Sequence, residues 1–172
     1  EFNFVVNEKK TEIQKLLKRC INGDSKAQLR IYKTYSYSMY NTAFRILKDE
    51  QSAEDAMQEG FIKAFTKLES YRKDAPFEAW LRRIITNEAL SIYRKNRSRY
   101  ELELKPELTL SADQSTQDEI DFTFTVERVK KAMNELKDNY RIALNLFLLE
   151  GYSYDELSSY LQISYGNSRT LV

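Results

Sequence analysis

Apolar residues recur at helical spacing along almost the whole chain, and little interrupts them, since 172 residues include only 4 Gly and 2 Pro. A period of 3.6 commits a segment to an amphipathic helix, whereas a half-buried strand needs strict alternation, and no alternating run is present. Ile13, Leu16, Leu17, Cys20 and Ile21 form a first stripe, ended by Asn22-Gly23. Asp24 or Ser25 can cap a second helix running through Leu29, Tyr32, Tyr35, Met39, Ala43, Ile46 and Leu47. Ser52 with Asp55 three residues on resembles a capping box and opens a third helix, whose inner face is Met57, Phe61, Ala64, Phe65 and Leu68. After a loop at 69–75, Pro76 suits the first turn of a fourth helix carrying Phe77, Trp80, Leu81, Ile84, Ala89 and Ile92, which fades into the basic run at 94–99.

Helical periodicity is lost at 100–125, a stretch with Pro106 and a polar Ser/Thr/Gln segment that reads as a linker. Helices are expected again over 126–136 and over 140–150, the latter closed by Gly151. Ser153-Tyr154-Asp155-Glu156 is a capping box for a short helix to Leu161, and a last helix begins near Ser164 with Arg169 close to its start. The expected fold is therefore all-α: a four-helix domain over 1–99, an acidic linker over 100–125, and a second small helical domain over 126–172. Its closing pair has the proportions of a helix-turn-helix, although a helical hairpin that only completes a core has the same lengths.

Composition removes whole classes of chemistry. With no His and one Cys, a zinc site, a cysteine–histidine dyad, a Ser/His/Asp triad and a disulfide framework all lack their parts. No metal and no cofactor are expected, and an enzyme is the weakest reading because only carboxylate pairs remain. Cys20 lies on an apolar stripe and reads as core. The chain shows neither an 18-residue apolar run nor the order of a signal peptide, so the expected location is the cytoplasm.

The net charge of +1 conceals opposed blocks. Residues 1–47 and 72–99 each carry +5, whereas 100–127 sets one Lys against eight carboxylates and carries −7. Separate surfaces for a polyanion and for a basic partner would produce this pattern, and so would solvated helix faces.

The run Ser52-Ala53-Glu54-Asp55-Ala56-Met57-Gln58-Glu59-Gly60-Phe61-Ile62-Lys63-Ala64-Phe65, then Tyr71-Arg72, then Phe77-Glu78-Ala79-Trp80-Leu81-Arg82-Arg83-Ile84-Ile85-Thr86-Asn87, resembles conserved region two of bacterial extracytoplasmic-function (ECF) sigma factors. Residues 136–172, with Glu150-Gly151-Tyr152-Ser153-Tyr154-Asp155-Glu156-Leu157, resemble region four of that family. The resemblance implies a dissociable subunit that directs core RNA polymerase to promoters. Region two would bind the polymerase clamp and open the minus-ten element, region four would read the minus-thirty-five element, and the linker would thread the polymerase. An anti-sigma protein is a further partner that the resemblance suggests.

Candidate residues follow from residue chemistry and resemblance together. Glu54, Asp55, Gln58 and Glu59 lie on or near one helix face. A solvated polar surface is their ordinary reading, and the resemblance implies contact with a basic polymerase clamp. Tyr71, Arg72, Lys73, Arg83, Asn87, Arg94, Lys95 and Arg97 combine cations for phosphates with an aromatic and an amide for an unstacked base, as minus-ten capture requires. Phe77 and Trp80 are expected in the core and stand outside this set. Arg169 and Thr170 are the candidates for the upstream duplex. There the match weakens, because Gln162 replaces the usual turn Gly, Gly166-Asn167-Ser168 replaces the usual helix opening, and Val172 falls about two turns before such a helix ends, so weak upstream binding is expected. The polyanionic linker is either a plain tether or a mimic of RNA in the polymerase channel. The competing reading from another class, a stand-alone helix-turn-helix regulator, would account for the C-terminal pair but not for residues 52–87.

Overall fold

The computed structural model describes residues 2–103 and 126–172, with side chains over 11–96 and, apart from 130 and 134, over 128–172. Among the described residues every regular element is helical, and the chain divides into two compact units, Glu1–Tyr93 and Arg94–Val172. Of the linker expected at 100–125, residues 100–103 are helical and 104–125 lie outside the described residues.

The first unit is built from α1 (Phe2–Ile21), α2 (Ser25–Leu47), α3 (Glu50–Thr66), a 3-10 turn at Leu68–Ser70, and α4 (Phe77–Glu103), which continues into the second. Gly23, at φ +78°, lets the chain reverse after α1. Asp24 then caps α2 by accepting from the Lys26 and Ala27 N–H groups at 2.9 and 3.1 Å, and Arg19 Nε donates to the same carboxylate at 2.8 Å. The cap of α3 differs from the expected one. Asp49, not Ser52, takes the N-cap position and accepts from the Ser52 N–H at 2.8 Å, so the helix starts at Glu50, three residues early. Pro76 likewise sits just outside α4, its carbonyl accepting from the Ala79 and Trp80 N–H groups.

The core is the meeting of four apolar stripes. Leu16, Leu17 and Cys20 come from α1, Ile31, Met39, Ala43 and Ile46 from α2, and Met57 and Phe61 from α3, with Leu68 beneath the 3-10 turn and Phe77, Leu81, Ile85, Ala89 and Leu90 from α4. The buried face of α3 is otherwise small, with Ala53, Ala56, Gly60 and Ala64 at i, i+3, i+7 and i+11. That narrow strip admits α4 closely: a Cβ on Gly60 would meet Ile85 Cδ1 at 2.3 Å and Ile85 Cα at 3.3 Å. The approach sets the rotation of α4, so Ile85 and Leu90 are buried while Trp80, Ile84 and Ile92, expected inside, are only half-buried. Ile21 and Leu29, also expected inside, are exposed. Helix α4 runs to Glu103 rather than fading at 94–99, because nothing between Arg94 and Glu103 breaks a helix and the next proline is Pro106.

The second unit holds α5 (Val126–Glu135), α6 (Asp138–Leu144), a π turn at Asn145–Leu149, α7 (Tyr154–Leu161) and α8 (Tyr165–Thr170). The single helix expected over 140–150 is thus two pieces, the π turn closing with Glu150 N–H donating to Asn145 O at 3.2 Å before Gly151 at φ +72°. Ser153 and Glu156 form the expected capping box at 2.9 and 3.3 Å. Gln162 holds φ +56° and ψ +43° as the C-cap of α7, a left-handed conformation in a residue other than Gly. Leu146, Ile142 and Leu157 are fully buried between these elements.

Gly60→Ala is expected to lower the melting temperature by several degrees, since overpacking against Ile85 at a cost of about 1–3 kcal/mol outweighs the roughly 1 kcal/mol gain in helix propensity. Adding Ile85→Val, which removes Cδ1, should recover part of the loss, measured by thermal unfolding. The caps carry a pH signature. Asp24 is held below the ordinary carboxylate range by the Ala27 N–H and the Arg19 guanidinium, and Asp49 by hydrogen bonds from Ser52. Depressed carboxyls stabilise the fold above their unfolded pKa and lose that contribution as pH falls through the folded value. Stability should therefore decline below about pH 4, and an Asp24→Asn, Asp49→Asn variant should decline less steeply over the same range.

Candidate functional site

Opposite the small-residue strip, α3 presents Glu54, Asp55, Gln58 and Glu59, all exposed. Asp55 lies squarely away from the core, with Gln58 and Glu59 one turn on. Lys63 extends from the same helix but leans to α4: its ammonium donates to Glu88 at 2.6 Å and lies 3.6 Å from Glu59. The hydrogen bond to Glu88 holds Lys63 above the usual lysine range. The face is consequently anionic in character, its nearest cation drawn toward the seam with α4. Asp55 and Glu59, like charges at i and i+4, cost the helix a few tenths of a kcal/mol and contribute nothing to the core.

The expected nucleic-acid residues separate into a loop group and a helix group. Tyr71 is half-buried, donates its hydroxyl to the Ala75 carbonyl at 2.6 Å, and packs its ring on Phe77 and Trp80 with centroids 5.6 and 5.3 Å away. Burial, and behind it the Asp74 carboxylate, pushes the Tyr71 phenol up. Arg72 and Lys73 are exposed on this loop, where Lys73 adopts φ +66°. Beside them opens a cavity of about 470 Å³, walled by Tyr35, Tyr71 and Phe77 with Ile13 and Leu17 of α1, and edged by the polar groups of Gln14, Lys73, Asp74 and Glu78.

On α4, Trp80, Arg83, Asn87 and Arg94 fall at i, i+3, i+7 and i+14, one side of the helix, with Lys95 exposed next to them. Arg97 lies on α4, its side chain outside the described residues. Trp80 is the residue that sequence reasoning misplaced. It sits on the same side as Arg83 and Asn87, half-exposed and tilted 42° against Tyr71, so it belongs to this surface as much as to the core. The spacing 80–83–87 carried that signal, but an aromatic at i+3 from Phe77 satisfied the core pattern equally well. Gln14 and Tyr35 reach the cavity only through the packing of α1 and α2, for which no local sequence signal exists.

In the second unit α7, the turn at Gln162 and α8 form a helix-turn-helix, with Leu157 and Ser168 buried at its centre and Tyr154 edge-on to Tyr165. Arg169 and Thr170 are exposed, but in the last turn of α8 rather than near its start, because α8 spans only Tyr165–Thr170. The Thr170 hydroxyl donates to the Gly166 carbonyl at 3.0 Å. Among the described residues no group of three His, Cys, Asp or Glu side chains could hold a metal ion, and no helix is long and apolar enough to cross a membrane. Cys20 is buried, and desolvation raises its thiol.

Comparison with known proteins adds the following. The family model for Sigma-70 region 2 matches residues 31–99 and that for Sigma-70, region 4 matches 127–172. The chain is 30% identical to the ECF RNA polymerase sigma factor SigM of Bacillus subtilis, over 83% of this chain and 86% of that protein. It is 28% identical to the RNA polymerase sigma-H factor of Pseudomonas aeruginosa, over 92% of this chain and 87% of that one. Among solved structures, the sigma factor RpoE of Bartonella quintana in complex with the anti-sigma factor NepR has a TM-score of 0.50 at 23% identity, covering 83% of this chain and 88% of that one, a likeness of fold.

Tyr71→Phe keeps the ring contacts and deletes the bond to Ala75. Amide exchange in loop 72–75 is expected to quicken about fivefold, the cost of roughly 1 kcal/mol, with helix protection unchanged.

Proposed function

The chain belongs to the ECF sigma factors, which direct core RNA polymerase to promoters, and from that premise we propose how its surfaces divide the work. The acidic face of α3, with Glu54, Asp55, Gln58 and Glu59, docks on a basic surface of the core enzyme. Loop 71–75 and the outer side of α4 hold the non-template strand of the minus-ten element as it opens. Arg72, Lys73, Arg83, Arg94, Lys95 and Arg97 supply charge for phosphates, while Tyr71 and Asn87 receive an extruded base. Extrusion costs a few kcal/mol, which stacking at about 1–3 kcal/mol per base and edge hydrogen bonds can offset. The cavity beside Tyr71, aromatic in its walls and polar at its edge, suits a flat heterocycle.

The observation that carries this reading is that one four-helix unit presents chemically opposite surfaces on adjoining helices, carboxylates on α3 and cations with aromatics on α4. In the same reading residues 1–99 form region two, 100–125 an acidic connector that imitates nucleic-acid phosphate in the polymerase channel, and 126–172 region four. Arg169 and Thr170, exposed on α8, would touch the upstream duplex. The protein works in the cytoplasm as a non-enzymatic initiation subunit, without cofactor or metal. An anti-sigma protein is a further proposed partner, as NepR is for the Bartonella quintana sigma factor RpoE solved in complex with it.

Two variants separate the surfaces. Asp55→Lys, Glu59→Lys should weaken binding to bacterial core polymerase at least tenfold, because both charges would then repel a basic partner. Tyr71→Ala, Asn87→Ala should bind core normally and fail to open promoter DNA, read as lost permanganate reactivity of minus-ten thymines. Equal effects of both variants on both assays would contradict the division, and tight duplex binding by the free protein would point to the stand-alone regulator.

A further inference from the structure

The first of the two +5 blocks, residues 1–47, lies on α1 and α2, and no surface assigned so far uses it. Over 11–37 six basic residues meet two acidic ones, a net +4. Both acids are taken within the helical hairpin: Asp24 pairs with Arg19 at 2.8 Å, and Glu12 pairs with Arg30. Lys15, Lys18, Lys26 and Lys33 are left, all exposed and without an ion pair among the described residues.

Lys26, Arg30 and Lys33 form a line. They fall at i, i+4 and i+7 of α2, away from its buried residues Ala27, Ile31 and Met39, and span about 10 Å along the axis. One shallow depression of about 360 Å³ is lined by these three cations, Thr34 and Leu29, the last 52% exposed. Like charges one turn apart cost a helix a few tenths of a kcal/mol, and the core gains nothing from them. A merely solvated helix face alternates its signs, whereas α2 contains no Asp or Glu in its 23 residues. Nothing on the helix itself balances the line except Glu12, which reaches Arg30 from α1.

A cationic line of this kind fits a phosphate backbone, which cations position without any readout of sequence. Other anionic partners need what the depression lacks. A lipid surface takes a wide apolar face, and Leu29 is the one apolar side chain lining the depression. An acidic protein takes buried anchors, aromatic above all, in a well-packed pocket. A single strand takes aromatic platforms for its bases, and no aromatic lines the depression. Duplex DNA needs cations alone. We propose that Lys26, Arg30 and Lys33 on the outer side of α2 form a second DNA-binding surface, which holds phosphates of the promoter duplex, within the positive field of Lys15 and Lys18. The inference needs only membership of the family and not the division of work between α3 and α4.

The test is the salt dependence of promoter binding by bacterial core polymerase carrying the full chain, with thermal unfolding and core affinity of each variant alongside. Lys26→Gln, Lys33→Gln leaves the Arg30–Glu12 pair in place and should fold and bind core as the parent does. Its slope of log affinity against log salt should be shallower by about 2, at roughly 0.9 per lost phosphate contact. The parent should accordingly lose about tenfold more affinity than the variant between 0.05 and 0.2 M salt. Lys26→Arg, Lys33→Arg should keep the parent's slope. Lys48→Gln, Lys67→Gln, an equal change of net charge elsewhere on the unit, should keep it too. An unchanged slope for the Lys26, Lys33 variant would overturn the proposal, and so would an equal drop in the Lys48, Lys67 variant, which would assign the effect to net charge alone. Weakened core affinity in the Lys26, Lys33 variant would overturn it in favour of an acidic surface on the polymerase.

Discussion

The close approach of α3 and α4 at Gly60 is the contact on which the rest of the first unit depends. Ile85 packs where a side chain on Gly60 would lie, so the two helices meet almost backbone to side chain. Such a seam has little room to slide, because protein interiors are packed as densely as organic crystals. The Lys63–Glu88 bond at 2.6 Å spans the same seam. With the rotation of α4 fixed against α3, the direction of every outward residue is fixed as well: Asp55 and Gln58 on one side, Trp80, Arg83 and Asn87 on the other. A rotation of α4 by one residue would swing Arg83 and Asn87 together by about 100° from their present direction relative to α3.

The outward residues contribute little to folding. Exposed ion pairs are worth about 0–1 kcal/mol, and the Asp55/Glu59 repetition is mildly unfavourable. Selection for stability alone would not assemble carboxylates on α3 or leave a half-exposed Trp over a tyrosine. Both arrangements gain meaning once the partners are a basic protein surface and an opened DNA strand. An acidic surface steers toward the former, and a cationic, aromatic one toward the latter, so a single rigid unit can hold both at once without exchanging them.

Much of this was legible in the residues. Periodicity located the helices, the Ser153–Glu156 box predicted its helix start, and Cys20 and the apolar lines of α1 to α3 fell largely inside as expected. The misses have physical causes. Asp49 takes the cap because its carboxylate, three residues ahead of Ser52, accepts from the Ser52 N–H with a full charge and so opens the helix before Ser52 can cap it. Ile84 and Ile85 are equivalent by spacing, and only the tertiary contact at Gly60 chooses the second. Trp80 satisfied two patterns at once. Arg94 to Glu103 stayed helical because charge alone does not end a helix. The cavity beside Tyr71 was illegible, since α1, α2 and the loop that build it are joined only by folding.

The central claim is that α3 faces the polymerase while α4 faces DNA. Placing a photocrosslinking amino acid at Gln58, and in a second protein at Asn87, and irradiating the open promoter complex tests it directly. The account predicts that Gln58 crosslinks to a large polymerase subunit and Asn87 to the non-template strand near minus ten. Crosslinking of Gln58 to DNA, or of Asn87 only to polymerase protein, would contradict it.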